Sequence, residues 1–166
     1  MEREFYFCCC RLDEKDFYFI WFSDEADGVY LDLQGNFVVY NDLESLISYT
    51  KEQNLFIKDE EPVFYNLQKL ETILSKKSFK VDCVEFLNAW NLFDDISRSV
   101  EGNFDPDHKI TKKIYDKLFW GNNLPAVTPE GKYYEPLWSK KELEIIRDVL
   151  LNGVAIFRNN LKHINQ

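Results

Sequence analysis

Two apolar runs near the N-terminus constrain the fold of this chain more than any other feature. They span residues 5–10 and 17–22 and consist of aromatic residues, cysteines and one isoleucine. Such residues favour β-strands, and the polar stretch from Arg11 to Asp16 separates the two runs as a turn would. The sequence therefore predicts a β-hairpin at the start of the chain.

Two further strands are predicted over residues 29–33 and 37–40. Between them lies Gln34-Gly35-Asn36, where glycine and asparagine supply the positive φ that a tight reversal requires. Four consecutive strands joined by short turns are most simply arranged as an antiparallel meander. We expect this meander to occupy residues 1–41.

Helix start signals follow the predicted strands. Segments beginning at Asn41, Asp82 and Ser139 have the spacing of a capping box, with a Glu three residues later. Apolar residues then recur at steps of three and four. The pattern predicts helices over residues 42–54 and 82–96, and a long last helix from residue 139 toward the C-terminus.

Weaker signals predict three more elements. Residues 63–65 have the composition of a short strand added to the sheet, and a brief helix over residues 67–74 follows. Another helix is predicted over about residues 107–119, because Asp105-Pro106 suits a first helical turn.

The order of these elements predicts the fold class. Strands first and helices afterwards indicate an α+β fold, in which an antiparallel sheet of about four to five strands precedes four to five helices that pack on one of its faces. With no repeat or linker in the chain, we expect a single domain over residues 1–166, strand-rich over 1–41 and helix-rich over 42–166.

The apolar hairpin also raises the question of what covers its second face. Residues 5–10 and 17–22 are apolar at nearly every position, whereas a half-exposed strand alternates apolar and polar side chains. Both faces therefore need cover, from the chain's own helices or from a partner molecule. Burial within the chain is the favoured interpretation, because continuous apolar runs are typical of buried strands.

Residues that carry common catalytic and cofactor chemistry are sparse. The chain has four cysteines and two histidines, at Cys8, Cys9, Cys10, Cys83, His108 and His163. Consecutive cysteines on a strand point to alternating faces, so we expect reduced thiols. The spacing matches no structural zinc site, neither histidine lies in a triad signature, and the glycines are too scattered for a phosphate loop. We expect no metal, no cofactor and no catalytic residue.

Adjacent carboxylates are the remaining candidates for catalysis, because two carboxyl groups can act as acid and base in a hydrolase. Such pairs occur at Asp24-Glu25, Glu60-Glu61 and Asp94-Asp95. Neighbouring residues on a helix point about 100° apart, so Asp94 and Asp95 do not easily line one cleft. A solvated surface is the favoured interpretation, and enzyme function is not expected.

The net charge of −9 is distributed unevenly. Residues 1–62 contain 15 acidic and 5 basic residues, a net charge of −10, and the rest of the chain carries +1. An acidic field disfavours direct binding to nucleic acid or anionic lipid and attracts basic partners, although acidity can also serve solubility alone. With no apolar run long enough for a bilayer and no secretory signal, we expect a cytoplasmic location.

Residues 120–138 form the least regular stretch. Pro129-Glu130-Gly131 suits a turn, and loops of this length are usually functional or held together by their own side chains. Two interpretations stay open. Tyr133, Tyr134 and Trp138 either anchor the loop on the core or present a binding surface, where aromatic residues concentrate binding energy.

The run FLNAWNLFDD at residues 86–95, the run YDKLFWGNNLP at residues 115–125, the proline-bounded turn and the long last helix together resemble a known family. They are similar to bacterial immunity proteins of contact-dependent growth inhibition and related polymorphic toxin systems, over about half of the chain. The resemblance implies a cytoplasmic antidote. Such a protein binds one cognate toxin domain, often a nuclease, and blocks its active site or its access to substrate.

A basic toxin domain would be attracted first by the acidic part of the chain. The candidate partner-binding residues are the acids of two predicted connections, Asp24, Glu25, Asp27, Asp59, Glu60 and Glu61, and the loop tyrosines Tyr133 and Tyr134. Two other functions stay open at this point. They are an acidic adaptor of protein–protein interactions and a small hydrolase that depends on carboxylates.

Overall fold

The computed structural model describes residues 2–105 and 108–161, and these form an α+β fold with the long helix last. Their strands are β1 (Glu4–Leu12), β2 (Lys15–Ser23), β3 (Gly28–Val29), β4 (Val39–Tyr40) and β5 (Val63–Asn66). Their helices are α1 (Leu43–Glu52), α2 (Leu67–Leu74), α3 (Cys83–Val100), α4 (His108–Trp120) and α5 (Lys140–Asn159). The predicted helix start at Pro106 and Asp107, and His163, lie outside the described residues. No helix within those ranges combines the length and apolarity needed to cross a membrane.

β1 and β2 form the hairpin that the two apolar runs predicted. Their antiparallel register continues without a break over all nine residues of each strand. The connection consists of Asp13 and Glu14, both with positive φ, at 51° and 63°. This is the two-residue turn whose twist matches that of the paired strands, so the reversal is shorter than the polar stretch that predicted it.

The next two strands correct the predicted meander. Both β3 and β4 pair with β2, and the predicted pairing between the two segments is limited to an isolated antiparallel bridge of Leu31 with Phe37. The carboxylate of Asp32 accepts hydrogen bonds from the N–H groups of Gln34 and Asn36, both at 2.9 Å. The reversal at Gly35 is confirmed, with φ of 82°, but these side-chain bonds hold a compact loop where longer strands were predicted.

β5 makes the sheet mixed rather than purely antiparallel. It pairs with β1 in the parallel direction, from Val63 opposite Cys8 to Asn66 opposite Arg11. The strand order is β3-β2-β1-β5, with β4 also beside β2. After β4 the chain passes through α1 and re-enters the sheet as β5, on the side of β1 away from β2. Because of this crossover, β5 runs parallel to β1.

Helices cover both faces of the sheet, unequally. The main core lies between one face and α2, α3, α4 and α5. On the other face, Leu46 of α1 packs against Ile20 and Val38. Burial by the chain itself is therefore confirmed for the central strands, whereas the expectation of helices on one face only is wrong. The short α1 leaves the β5 edge of its face open, and Phe64 there is 57% exposed.

Local capping signals agree with the helix starts, with one shift. Asp82 caps α3, and Ser139 and Glu142 form a complete capping box at α5. At α1 the cap is Asp42, whose carboxylate accepts the N–H three residues later. The predicted cap, Asn41, instead donates its side-chain amide to a carbonyl of β2 at 3.1 Å.

Aromatic rings join the last helix to the sheet. The ring of Phe157 on α5 is fully buried, and its centroid lies about 6 Å from the ring centroids of Phe17, Phe19 and Phe37. The other residues predicted in the core are also buried: Trp90, Phe93 and Leu150. This packing fixes α5, and α3 beside it, against the sheet.

Candidate functional site

The sheet brings two acidic segments that are distant in sequence to one end of the molecule. Residues 24–27 follow β2 directly, and residues 59–61 precede β5 on the other side of β1. The N–H of Lys58 donates to the carbonyl of Phe5 at 2.8 Å, which holds the second segment beside the start of β1. With strands about 4.8 Å apart, the segments are separated by on the order of 10 Å. We call residues 24–27, 59–61 and 94–98 the acidic end.

The basic residues of this region are already engaged by carboxylates. The pairs are Arg3 with Asp24 at 2.9 Å, Lys58 with Glu4 at 3.2 Å, and Arg98 with Asp94 at 2.9 Å and Asp95 at 2.7 Å. Glu25, Asp59, Glu60 and Glu61 are exposed. Within residues 2–105 and 108–161, no ion pair joins these four acids to a cation. Their negative charge is therefore available to a partner.

The connection between β2 and β3 is held by its own carboxylates. Asp24 accepts the N–H of Glu25 at 2.8 Å, and Asp27 accepts the N–H of Asp24 at 3.2 Å. The hydrogen bond from Glu25, followed by the one from Arg3, lowers the pKa of Asp24, because both favour the charged form. The Arg98 guanidinium also donates to the carbonyl of Asp27 at 3.0 Å, which joins the connection to α3. Asp24 and Asp27 thus have structural roles as well as charge.

A cleft of about 440 Å³ opens between the acidic end of the sheet and α3. Its aromatic walls are Trp21 of β2 and Tyr65 of β5, and the rest of its lining is Asp27, Asn88, Asn91, Leu92 and Asp95. The four α3 residues recur at steps that place them on one helical stripe. We call this the Trp21 cleft.

Asp95 is a partly buried acid of the Trp21 cleft, with 14% of its side chain exposed. Its Oδ2 accepts the indole N–H of Trp21 at 2.8 Å, and its Oδ1 accepts an N–H of Arg98 at 2.7 Å. Burial raises the pKa of Asp95, and the bonds from Trp21 and Arg98 oppose that rise without cancelling it. Asp94 binds the same guanidinium but lines a different cleft, as the helical spacing of the two carboxylates predicted.

The Trp21 cleft is the part of the site that sequence reasoning missed. Trp21 and Tyr65 come from separate strands, and their meeting depends on the parallel placement of β5. One signal was present, because Asn88 and Asn91 interrupt the apolar pattern of α3 at the steps of three and four that lead to Asp95.

Tyr133 and Tyr134 lie far from the acidic end. The loop of residues 121–139 contains no helix or strand and packs at the other end of α3, where the Asn122 amide donates to the carbonyl of Cys83 at 3.1 Å. Cys83 and Asp95 are both on α3, separated by about 18 Å at 1.5 Å per residue. The structure therefore does not combine the tyrosines and the acids into one site.

The two interpretations of the loop apply to different residues. Trp138 is an anchor, because it packs against the core and its ring makes a cation–π contact with the ammonium of Lys117, 4.4 Å from the ring centroid. Asn123 holds the backbone of Tyr134 by two hydrogen bonds, of 2.8 and 2.9 Å. Tyr133 is 79% exposed and is presented to solvent.

The cysteines offer little reactivity. Burial raises the pKa of Cys8 to about 12, so its thiol stays protonated, and a protonated thiol is a poor nucleophile and a poor metal ligand. All four cysteines are unpaired thiols. Within the described ranges, no three His, Cys, Asp or Glu side chains are grouped as metal ligands.

Comparison with known proteins identifies a similar fold. No protein-family model matches the sequence, and no curated protein matches it. Among solved structures, the chain is similar to the C-terminal domain of SatS, determined in complex with bromine, with a TM-score of 0.56 and 14% sequence identity. The match covers 97% of this chain and 92% of that one. At this identity the likeness concerns the fold alone, so the arrangement of sheet and helices is not peculiar to this chain.

Proposed function

We propose that this protein binds a basic protein domain through the acidic end, and that it acts in the cytoplasm as an immunity protein that neutralises a cognate toxin. The observation that carries the proposal is the convergence of residues 24–27 and 59–61 beside the Trp21 cleft. The four acids Glu25, Asp59, Glu60 and Glu61 supply negative charge there, and no ion pair in the described part of the chain balances it.

The geometry suits electrostatic steering. At physiological ionic strength the Debye length is about 8 Å, so a cation that approaches between two segments on the order of 10 Å apart lies within reach of the acids of both. A nuclease domain presents a positive groove to its substrate, and a protein with a complementary negative surface associates faster with that groove. Occupying the groove would block access of nucleic acid to the toxin.

Hydrogen bonds within the chain also hold the backbone of this surface. Asp24 and Asp27 fix the turn that carries Glu25, and Lys58 fixes the start of the second segment on β1. An interface whose backbone is already ordered loses less conformational entropy on association. The rest of the proposal comes from the resemblance, and its first run, residues 86–95, lies on α3 and ends at the acidic end.

The two alternatives have unequal support. An acidic adaptor would use the same surface and differs only in the partner. The hydrolase has less support, because Asp94 and Asp95 line different clefts, and Asp95 is already bonded to Trp21 and Arg98. We therefore propose a role in binding rather than in catalysis.

The first experiment tests neutralisation directly. The C-terminal domain of a secreted protein encoded beside this gene is expressed in bacteria with and without this chain. We expect growth arrest by the domain alone and growth on co-expression. Continued arrest in the presence of soluble, folded chain would contradict the toxin assignment.

The second experiment tests the surface by association kinetics with the same purified domain. Changing Asp59, Glu60 and Glu61 together to Lys should slow association about tenfold or more at low salt, and the difference should shrink at high salt. The matched control changes Glu130, Glu135 and Glu144 to Lys. These acids are also exposed but lie in the loop of residues 121–139 and at the start of α5, so association should stay within about twofold of wild type. Equal slowing by both variants would indicate net charge and not this surface.

A further inference from the structure

The Trp21 cleft contains a combination of groups that its packing alone does not require. The indole of Trp21 is half-buried and held on one side by the ring of Tyr6, with centroids 5.6 Å apart. Tyr65 is the second aromatic side chain of the lining, and Asn88 and Asn91 line the cleft from α3, where the side-chain oxygen of Asn91 also accepts the hydroxyl of Tyr115 at 2.7 Å. The cleft thus offers aromatic surface and hydrogen-bond acceptors together.

The charge of the cleft is negative even though a guanidinium is already present. Asp27 and Asp95 line the cleft with two carboxylates, and the guanidinium of Arg98, which binds Asp95, also binds Asp94 outside the cleft, so that these four groups together carry a net charge of −2. Arg98 lies toward the outside of α3, where it bridges Asp94, Asp95 and the carbonyl of Asp27. A carboxylate accepts about four hydrogen bonds, and Asp95 is shown with two, so it has capacity for another donor.

We propose that the Trp21 cleft receives one arginine side chain of a partner protein, with its guanidinium against the aromatic walls and hydrogen-bonded to Asp95. The identity of the protein that brings this arginine rests on the proposed function, whereas the chemistry of the cleft does not.

Arginine fits this lining better than lysine does. Its planar, weakly hydrated guanidinium stacks on aromatic rings and directs five N–H donors outward, so it can donate to the carboxylate of Asp95 and to the side-chain oxygen of Asn88 together. The lysine ammonium is compact and strongly hydrated, and it loses more hydration on contact with aromatic surface. Phosphate-bearing ligands are disfavoured by the two excess negative charges.

An arginine in this position would act as the anchor of the interface. Interfaces concentrate binding energy in a few enclosed aromatic and arginine residues, and a rim of exposed polar groups excludes water around them. In the open Trp21 cleft, Trp21 and Tyr65 are half-buried and Leu92 is buried, whereas residues 59–61 are exposed like the residues of a rim. The rim sets the rate of encounter, and the cleft sets the lifetime of the complex.

The test uses the purified chain and small probes, so it does not depend on any toxin. N-acetyl-arginine methylamide is titrated against the ¹⁵N-labelled protein, with the neutral isostere N-acetyl-citrulline methylamide as the matched probe. The reporters are the indole N–H of Trp21 and the side-chain amides of Asn88 and Asn91. We expect saturable shifts of these signals with the arginine probe and none with the citrulline probe.

Two variants separate the cleft from the general charge. Asp95→Asn and Asp94→Asn each remove one carboxylate beside Arg98, but only Asp95 lines the Trp21 cleft. Asp95→Asn should weaken arginine binding about tenfold or more, whereas Asp94→Asn should stay within about twofold. Trp21→Phe keeps an aromatic ring but loses the indole N–H. It is the second variant if Asp95→Asn is poorly folded, and the side-chain amides of Asn88 and Asn91 then report binding.

The outcomes distinguish the two proposals. Absence of a saturable shift with the arginine probe, equal shifts with citrulline, or equal weakening by the two aspartate variants would overturn the arginine site. Saturable binding that Asp95→Asn weakens selectively would support it. If the arginine probe binds and the neighbouring domain is not neutralised, the toxin assignment fails while the site stands.

Discussion

The acidic end and the loop of residues 121–139 are both supported by α3, at opposite ends of that helix, yet they present different surfaces. The acidic end presents carboxylates on short connections next to the sheet. The loop presents apolar side chains, among which Tyr133 is 79% and Leu137 is 87% exposed. A charged surface sets the rate and specificity of encounter, whereas an exposed apolar surface adds contact area once two proteins have met.

The two regions also differ in what holds them. At the acidic end some acids hold the fold and others do not: Asp24 and Asp27 bond to backbone N–H groups, while Glu60 and Glu61 make no ion pair with a described residue. The loop is held by Asn123 and by Lys117, which donates to the carbonyl of Leu137 and to Glu142. Charge reversals are therefore interpretable at residues 59–61 and not at Asp24.

The largest expected effect comes from a substitution that removes the support shared by the two regions. Phe157→Ala deletes a fully buried ring at the junction of α5 and the sheet and should lower the free energy of unfolding by about 3–5 kcal/mol. Urea denaturation measures the loss. Tyr133→Ala is the control, because an exposed side chain contributes under about 0.5 kcal/mol. A wild-type midpoint for Phe157→Ala would show that α5 does not support the two regions as described.

The next effect is confined to the loop. Asn123 has φ of 52° and makes two hydrogen bonds to the backbone of Tyr134. Asn123→Gly removes the bonds but accepts the positive φ, and should cost about 1–2 kcal/mol. Asn123→Ala also carries the cost of a left-handed backbone, about 1 kcal/mol more. Denaturation and amide exchange at Tyr134 measure both. Equal stability of the two variants would show that backbone conformation at residue 123 does not matter.

The sequence predicted the parts of this fold that depend on neighbouring residues. The hairpin of β1 and β2, the cap at Asp82 and the capping box at Ser139 follow from patterns within a few residues, and so does the buried face that carries Trp90 and Phe93. The pairing of β3 and β4 with β2, and the parallel β5, depend on contacts between distant segments. No local pattern specifies such contacts, so the meander prediction was wrong in those details.

The candidate site divides in the same way. Exposure was predicted for all six acids from their placement in connections, and it is confirmed for Glu25 and residues 59–61, whereas Asp24 and Asp27 are partly buried. The hydrogen bonds that make Asp27 structural, and the meeting of Trp21 with Asp95, required the folded arrangement of β2 and α3. Partner binding by any of these residues stays a prediction.

The next prediction concerns binding by the loop. The expected effect on stability is small, but the association rate decides which of the two surfaces a partner meets first. Tyr133→Ala and Tyr134→Ala should change the free energy of unfolding by under about 0.5 kcal/mol and leave the association rate with the partner domain unchanged, because they alter no charge. Kinetics measured beside the variant of residues 59–61 test this. If the tyrosine variants associate more slowly and the variant of residues 59–61 associates at the wild-type rate, the partner first contacts the loop and not the acidic end.

The smallest effect is a pH dependence at the acidic end. Burial, opposed by the bonds from Trp21 and Arg98, raises the pKa of Asp95 above its ordinary value of 3.8, so the folded state holds this proton more tightly than the unfolded state does. The stability that the protonated group contributes is complete below pH 3.8 and is lost as the pH rises through the folded pKa.

The free energy of unfolding of wild type, minus that of Asp95→Asn, should therefore fall with rising pH in this window. Parallel denaturation series isolate Asp95, because the other carboxylates titrate in both proteins. If this difference in the free energy of unfolding instead increases with pH, the hydrogen bonds from Trp21 and Arg98 have a larger effect on the pKa of Asp95 than burial has. The chain itself would then already stabilise the carboxylate to which we expect a partner cation to bind.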